Sequence, residues 1–336
     1  MGGLPEVSVV IPTYNRLAFL RDTLTSLAQQ TFPAERFEVI VVDDGSMDET
    51  KSITAERYPF AFQYVRQANQ GDAEARNTGA RASQADVLVF LDDDILVEPD
   101  YLAAIVAAHR AVEDGIIVGT EVLWLEESNP LLELRNDARQ AGGEGELVPI
   151  PFVDVCSNNM SVKRRAYLSI GMMHSLDFPG SSMWCDVDFT YRAHLKGFSF
   201  LRSPRGVCWH RDYVSRNLDN QKKRWREAGY RAVTLFEKYP DLIQFLPMFA
   251  DKTPVDWSRD SAVLILRKWA RRIASSQAII GLIERWERVV AQGNSRNALS
   301  ERLQRWIIGG CIFQGYREGL RNLPVGPAQF SSGKID

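Results

Sequence analysis

Two acidic clusters and one later aspartate are the residues of this chain best suited to chemistry. Asp43-Asp44 closes the apolar run that begins at Phe37, and Asp92-Asp93-Asp94 closes the run Asp86 to Leu91. Carboxylates this close repel one another. They are tolerated when solvated, when partly protonated, or when a divalent cation lies among them. Oxygen ligands without cysteine favour Mg2+ or Mn2+. Such an ion uses one or two carboxylates and takes further ligands from phosphate oxygens, so the pattern points to a metal–diphosphate substrate. Each cluster alone also reads as a helix N-cap or a solvated turn. Two clusters, each ending an apolar strand, favour the metal reading.

The elements around them alternate. Val7 to Pro12 is apolar and β-branched, as suits a strand buried on both faces of a parallel sheet. Leu17, Leu20, Leu24, Leu27 and Ala28 recur at helical steps, and Pro33 stops them. Phe37 to Val42 completes a βαβ unit. A strand follows at Phe60 to Val65, a helix at Ala73 to Ala82, a strand at Asp86 to Leu91, a helix at Pro99 to Val112 and a strand at Ile116 to Val118. This order predicts an α/β fold with an open, mostly parallel sheet. Ligands of such sheets bind beyond the carboxyl ends of the strands, where both clusters fall. Residues 126–150 read as a long loop with at most one short helix, and order returns near Val153 to Val162. Beyond Asn217 the pattern is helical and rich in Arg and Trp. Pro324 to Asp336 reads as a mobile tail.

Bulk properties exclude some classes. The chain has 336 residues, 45% hydrophobic and 25% charged, with a formal net charge of -3. No bulk positive field draws nucleic acid. Its four cysteines, Cys156, Cys185, Cys208 and Cys311, form no C-x-x-C pair, which fits a reducing cytoplasm. No signal-peptide pattern and no spanning apolar run is visible. The sequence therefore reads as that of a protein kept inside the cell, either soluble or peripheral at the inner face of the membrane.

Five strings in order sharpen the reading: Val9 to Arg16, Val41 to Ser46, Ala75 to Gly79, Phe90 to Asp94 and Trp184 to Phe189. Together they resemble the family 2 glycosyltransferases of the GT-A fold, over roughly the first 210 residues. The resemblance implies a GT-A-type nucleotide-binding sandwich at 1–216 and a helical C-terminal region at 217–336. It implies a metal-dependent, inverting hexosyltransferase that uses Mn2+ or Mg2+. The donor would be a nucleotide-diphosphate sugar, with UDP preferred. The acceptor would be a glycan, a lipid-linked or another hydroxyl compound, as in polysaccharide or glycoconjugate biosynthesis.

Carried over residue by residue, Pro12, Thr13, Tyr14 and Asn15 would line the base and ribose. Tyr14 would stack on the base or merely pack its loop. Asp44 would accept a hydrogen bond from uracil. Arg76 and Asn77 would line the donor pocket, with Arg76 set to meet a phosphate or Asp92. Asp92 and Asp94 frame the Asp-x-Asp motif: Asp94 would hold the metal, and Asp92 the ribose or a metal-bound water. Asp93 is also acidic, so the register of that motif stays open. Asp186 would be the catalytic base, at the start of a helix expected over Val187 to Lys196. The family's usual Glu before it is replaced by Cys185. His210 reads either as a third metal ligand or as a packed histidine. Asn158 and Asn159 match a stretch near sugar and acceptor. Trp184 would floor a sugar ring or sit in the core.

Competing functions fare less well. A nucleotidylyltransferase would carry a Gly-rich basic loop near the start, and none is present. Gly-x-Gly-x-x-Gly is also missing after the first strand, which argues against a dinucleotide oxidoreductase. A non-catalytic nucleotide-sugar-binding protein would not need Asp186. In the C-terminal region Leu266, Trp269, Ile273, Ile280, Ile283, Trp286 and Val290 recur at helical spacing beside the basic cluster Arg267, Lys268, Arg271 and Arg272. That pattern fits a helix lying on an anionic membrane, or one packed on the catalytic domain or in a homodimer, and the second reading is the simpler.

Overall fold

The computed structural model describes residues 3–123, 146–175, 183–211, 218–291 and 298–322. The expected loop over 126–150 and the C-terminal tail fall largely or wholly outside them. The chain divides into two compact units, Met1–Asp212 and Tyr213–Asp336.

In the first unit, β1 (Val7–Thr13) and β2 (Phe37–Asp43) are wholly buried, as continuous apolar runs demand. They pair in parallel, Val7 opposite Phe37 through Thr13 opposite Asp43. β3 (Ala61–Arg66) flanks β2, and β4 (Val87–Phe90) flanks β1 on its other side, both in parallel. The chain thus winds outward from β1 through β2 and β3, then returns across β1 to β4. The carboxyl ends of β1 and β4 form the point where the winding reverses, which is where open α/β sheets bind ligands. Helices α1 (Leu17–Ala28), α2 (Asp72–Ala82) and α3 (Tyr101–Ala111) pack on the sheet, α2 on β1 and β2. α2 packs so close to β1 that a Cβ on Gly79 would lie 2.2 Å from Val10 Cγ1, so only glycine fits there.

Beyond β4 the sheet is mixed. Its order is β3-β2-β1-β4-β8-β6-β9-β5, with β7 also on β9. Here β5 is Ile95–Val97, β6 Gly115–Leu123, β7 Val148–Pro149, β8 Met160–Lys163 and β9 Ser199–His210. β8 runs antiparallel to both β4 and β6, and β5 and β7 run antiparallel to β9. The parallel arrangement expected for most of the sheet therefore holds for its first four strands and for β6 with β9. Among the described residues the unit also holds two short helices, α4 (Arg164–Ile170) and α5 (Cys185–Leu195).

In the second unit α6 (Leu218–Lys238) and α9 (Ala298–Asn322) lie side by side. Their backbones nearly touch: a Cβ on Gly315 would lie 1.8 Å from the carbonyl oxygen of Arg226. α7 (Ala262–Ala274) and α8 (Gln277–Ala291) complete it. Among the described residues no helix is long and apolar enough to cross a membrane.

One histidine is part of the frame. His109 of α3 is 3% exposed, and its Nε2 lies 2.9 Å from Ser161 Oγ on β8. The Ser161 hydroxyl donates to the Ile117 carbonyl at 3.0 Å, so Nε2 must be the donor to Ser161. Burial, assisted by the Lys163 charge, pushes the His109 pKa down to about 4. The unfolded chain then binds a proton that the folded chain refuses between roughly pH 6.5 and pH 4. This contribution to stability is present above that window and is lost as the pH falls through it. Urea titrations should show wild type losing stability against His109→Gln across that window, by up to about 1.4 kcal/mol per pH unit. A pH-independent difference would remove the assignment.

Candidate active site

The site forms where β1 and β4 end. Thr13, the last residue of β1, donates to Asp93 Oδ2 at 2.7 Å. Arg16, just ahead of α1, reaches back to Asp93 and Asp94. Its Nη1 lies 3.1 Å from Asp93 Oδ1 and its Nη2 2.6 Å from Asp94 Oδ2. Arg76, almost fully buried on α2, pairs with Asp92. His210 is brought in by the sheet. Ile95 of β5 stands opposite His210 of β9, and the Arg211 amide donates to the Asp94 carbonyl at 3.1 Å. The imidazole then lies between two acids, Nε2 at 3.5 Å from Asp94 Oδ1 and Nδ1 at 3.4 Å from Glu121 Oε1.

The three aspartates are thus matched by three protein cations. Burial disfavours a charged His210, but Asp94 and Glu121 outweigh it and carry its pKa to about 10. The neighbouring carboxyls separate. Burial, only partly offset by Arg16 and Thr13, pushes Asp93 up to about 7. Burial also acts on Asp94, but His210 and Arg16 hold it below the ordinary carboxylate range. Asp93 faces Thr13 and Arg16, whereas Asp94 presents an oxygen to His210.

The other predicted residues divide into frame and surface. Pro12 is buried within β1 opposite Val42, and Tyr14 is 42% exposed. Asn15 adopts a left-handed backbone, φ 55°, tolerable for asparagine. Its Oδ1 accepts from the Met47 amide at 2.7 Å and its own amide donates to Ser46 Oγ at 2.9 Å, which ties the loop after β1 to that after β2. Asp43 accepts from the Ser46 amide at 2.7 Å and from the Tyr64 hydroxyl. Asp44 accepts from Gln67 Nε2 at 2.8 Å, the Gln70 amide at 2.9 Å and the Gly71 amide at 2.8 Å. A carboxylate has about four acceptor positions, so among the described residues one is left open to a ligand.

Asn77 differs from its expected place on the donor. It is 3% exposed, and its amide is engaged by Tyr167, Met173 and Glu74. It fixes the turn of α2 that carries Arg76. Asn158 and Asn159 converge on Glu121: Asn158 Nδ2 donates to Glu121 Oε2 at 2.7 Å, and Asn159 Nδ2 lies 3.4 Å from the same oxygen. The Asp92 amide donates to the Asn158 carbonyl at 3.0 Å.

α5 begins two residues before the expected helix, so Asp186 lies in its first turn, where the helix dipole favours a charged carboxylate. Asp186 is half-buried, whereas Asp188 is buried with Arg192 Nη2 at 2.8 Å. Trp184, half-buried, sits at φ 66°, an uncommon conformation for a bulky residue. Cys185 is 2% exposed, and burial, reinforced by Asp186, keeps its thiol protonated. Arg76 and Asp72 also act on that thiol, which puts the start of α5 within electrostatic reach of the Arg76–Asp92 pair.

Sequence reasoning missed two members. Arg16 stood inside a matched string without a role, although a cation just before α1 was a usable signal. Glu121 was a lone acid in an apolar strand, also a usable signal. Three of the seven buried side-chain polar atoms without a hydrogen bond among the described residues belong here: Arg76 Nε, Asp94 Oδ1 and Asn158 Oδ1. Such atoms call for a ligand or an ion. Among the described residues no group of three or more His, Cys, Asp or Glu side chains makes a self-sufficient metal site. Asp94 Oδ1, with His210 facing it, does fit one edge of a divalent ion whose remaining ligands come from a substrate.

Residues 8–164 match the family model described as glycosyl transferase family 2. EpsH of Bacillus subtilis, assigned as a glycosyltransferase, is 36% identical over 293 residues, 83% of each chain. The chain belongs to glycosyl transferase family 2. Validoxylamine A glucosyltransferase of Streptomyces hygroscopicus is 41% identical over 136 residues, 40% of this chain and 32% of that protein, so the match spans about a third of that relative. Two solved structures share the fold. Mannosyltransferase PcManGT of Pyrobaculum calidifontis, in complex with GDP-Man and Mn2+, aligns with TM-score 0.61 at 19% identity, over 95% of this chain and 88% of that one. TarS 1–349 of S. aureus with UDP aligns with TM-score 0.54 at 19% identity, over 94% and 92%. The first unit is a GT-A-type α/β fold.

The Arg76–Asp92 pair gives a direct test of the charge matching. Arg76→Met should cost about 3 kcal/mol or more in urea unfolding, since it strands a partly buried carboxylate. Arg76→Met with Asp92→Asn should recover much of the loss. Additive losses in the double variant would show that the pair is not coupled.

Proposed function

We propose that the chain transfers a hexose, with inversion, from a nucleotide-diphosphate sugar to an acceptor hydroxyl. Family membership sets the reaction class. The observation that carries the donor site is Asp94 Oδ1, a buried carboxylate oxygen without a hydrogen bond, faced by His210. UDP is the preferred nucleotide. The one acceptor position left on Asp44 suits an imide N–H such as that of uracil, and TarS was solved with UDP.

Asp94, together with His210 once its imidazolium has given up a proton, would hold Mn2+ or Mg2+, as a fold neighbour solved with Mn2+ supports. The ion, when bound, neutralises charge on the leaving diphosphate. The separation of the carboxyls supports Asp94 as the ligand and Asp93 as the middle residue turned inward. Arg16 stays beside Asp94 and keeps it ionised. Arg76 holds Asp92 toward the ribose side, and Thr13 fixes the loop that presents Tyr14 to the base. Asp186 takes the proton from the acceptor hydroxyl as its oxygen attacks the anomeric carbon and the nucleoside diphosphate departs. General base assistance of this kind contributes about 10²- to 10⁴-fold. No covalent intermediate is required. Asn158, Asn159 and Trp184 stand on the acceptor side of this reading, the asparagines acting through Glu121.

Asp186→Asn should abolish transfer while leaving donor affinity within a few-fold. Unchanged turnover would rule out the base. Calorimetry with UDP-sugars and Mn2+ should show donor binding that falls at least about tenfold on adding EDTA or in Asp94→Ala, the loss of one strong charged contact. Binding indifferent to both would remove the metal from the site.

A further inference from the structure

Two helices of the second unit turn apolar stripes outward. On α7 the one buried side chain is Lys268, whose ammonium meets Asp260 at 2.6 Å and the Pro254 carbonyl at 2.9 Å. On the opposite face Val263, Leu266, Trp269 and Ile273 are 69%, 71%, 45% and 63% exposed. On α8 Ile280 and Glu287 are buried, Ile280 against Ile307 and Cys311, and Glu287 accepts from Ser300 Oγ at 3.0 Å and Gln304 Nε2 at 2.8 Å. Leu282, Trp286 and Val289 are 63%, 53% and 69% exposed. An ordinary amphipathic helix turns its apolar stripe inward. Scattered exposed hydrophobic residues need no explanation. Stripes at three- and four-residue steps on consecutive helices, set against a buried lysine and a buried glutamate, do need one.

The charges around the stripes are one-sided. Arg267 and Arg272 on α7, and Arg285 and Arg288 on α8, are exposed. The two acids of these helices are both turned to partners, Glu287 as above and Glu284 to Lys222 at 2.8 Å. The outward face of each helix is therefore apolar and tryptophan-bearing, fringed by arginine, with no exposed acid on either helix.

We propose that α7 and α8 dock on an anionic lipid bilayer, lying in its interface. Tryptophan rings favour that depth, where one edge is apolar and the other wet. Arginines attract anionic headgroups, each worth roughly a fivefold gain in partitioning. A second copy of the chain fits less well, since a two-fold contact through these helices would set arginine fringe against arginine fringe with no exposed acid to receive it.

The test uses the full chain, spun with vesicles of phosphatidylcholine alone or mixed with phosphatidylglycerol, while tryptophan emission is followed. The wild type should sediment with the mixed vesicles, shift its emission to the blue, and stay in solution with phosphatidylcholine alone. Leu266→Glu with Trp286→Glu should abolish sedimentation. Arg267→Gln with Arg272→Gln should weaken it by roughly fivefold for each arginine removed. Circular dichroism melts matching the wild type establish that the variants fold. Should a variant melt early, the salt dependence of wild-type sedimentation decides instead: release by raised salt supports docking, and salt-indifferent binding overturns it. Wild type remaining in solution with anionic vesicles overturns the proposal. So does a dimer in sedimentation velocity that the glutamate variant dissolves while vesicle binding is unchanged.

Discussion

Three consecutive carboxylates at one strand end are a costly arrangement, and the first unit is organised around making them tolerable. Cations from three parts of the chain meet them: Asp92 is met from α2, Asp93 and Asp94 share Arg16 from the loop after β1, and Asp94 is also met from the end of β9. The matching leaves the site near neutrality without a bound ion. It also divides the labour. Asp93 sinks into the frame and tends toward protonation at neutral pH, whereas Asp94 keeps its charge and one unmet oxygen. Electrostatics thereby separates the structural carboxyl from the one able to meet a ligand.

Those cations arrive through the fold. Arg76 depends on a helix that can press against β1 only because Gly79 has no side chain, and on Asn77, which locks that helix to the segment after α4. Arg16 depends on the Asn15 stitch between two loops. Glu121 completes the set by holding His210 and both asparagines, so the ring of contacts closes through β6, β8 and β9.

The first four strands and three helices were legible in the sequence because they are continuous apolar runs and helical periods joined by short connections. So were the acidic clusters at their ends. Of the second half of the sheet, β6 was legible at Ile116 to Val118, but β5 and most of β9 were not. β5 has only three residues, and β9 mixes polar with apolar positions until Val207. Both owe their existence to partners far along the chain, β5 to antiparallel β9 and β9 chiefly to parallel β6, a relation that local pattern does not encode. Glu121 and Arg16 escaped for the same reason, since each matters only through what folding brings beside it. On α7 and α8 the helical period was readable, but not the face that points inward. A buried lysine opposite an exposed tryptophan stripe reverses the assumption that apolar residues mark the interior.

The short ladder between β5 and β9 has a consequence for how this chain can change over time. Side chains alternate across a strand, so inserting a single residue between Cys208 and Trp209 would swing the imidazole to the opposite side of the sheet and put Trp209 against Asp94. Substitutions on this stretch of β9 need only respect packing, but its residue count is fixed by Asp94. Length polymorphism among relatives should accordingly accumulate before the Gly119 irregularity, where three extra residues on β9 are already absorbed, and not after it.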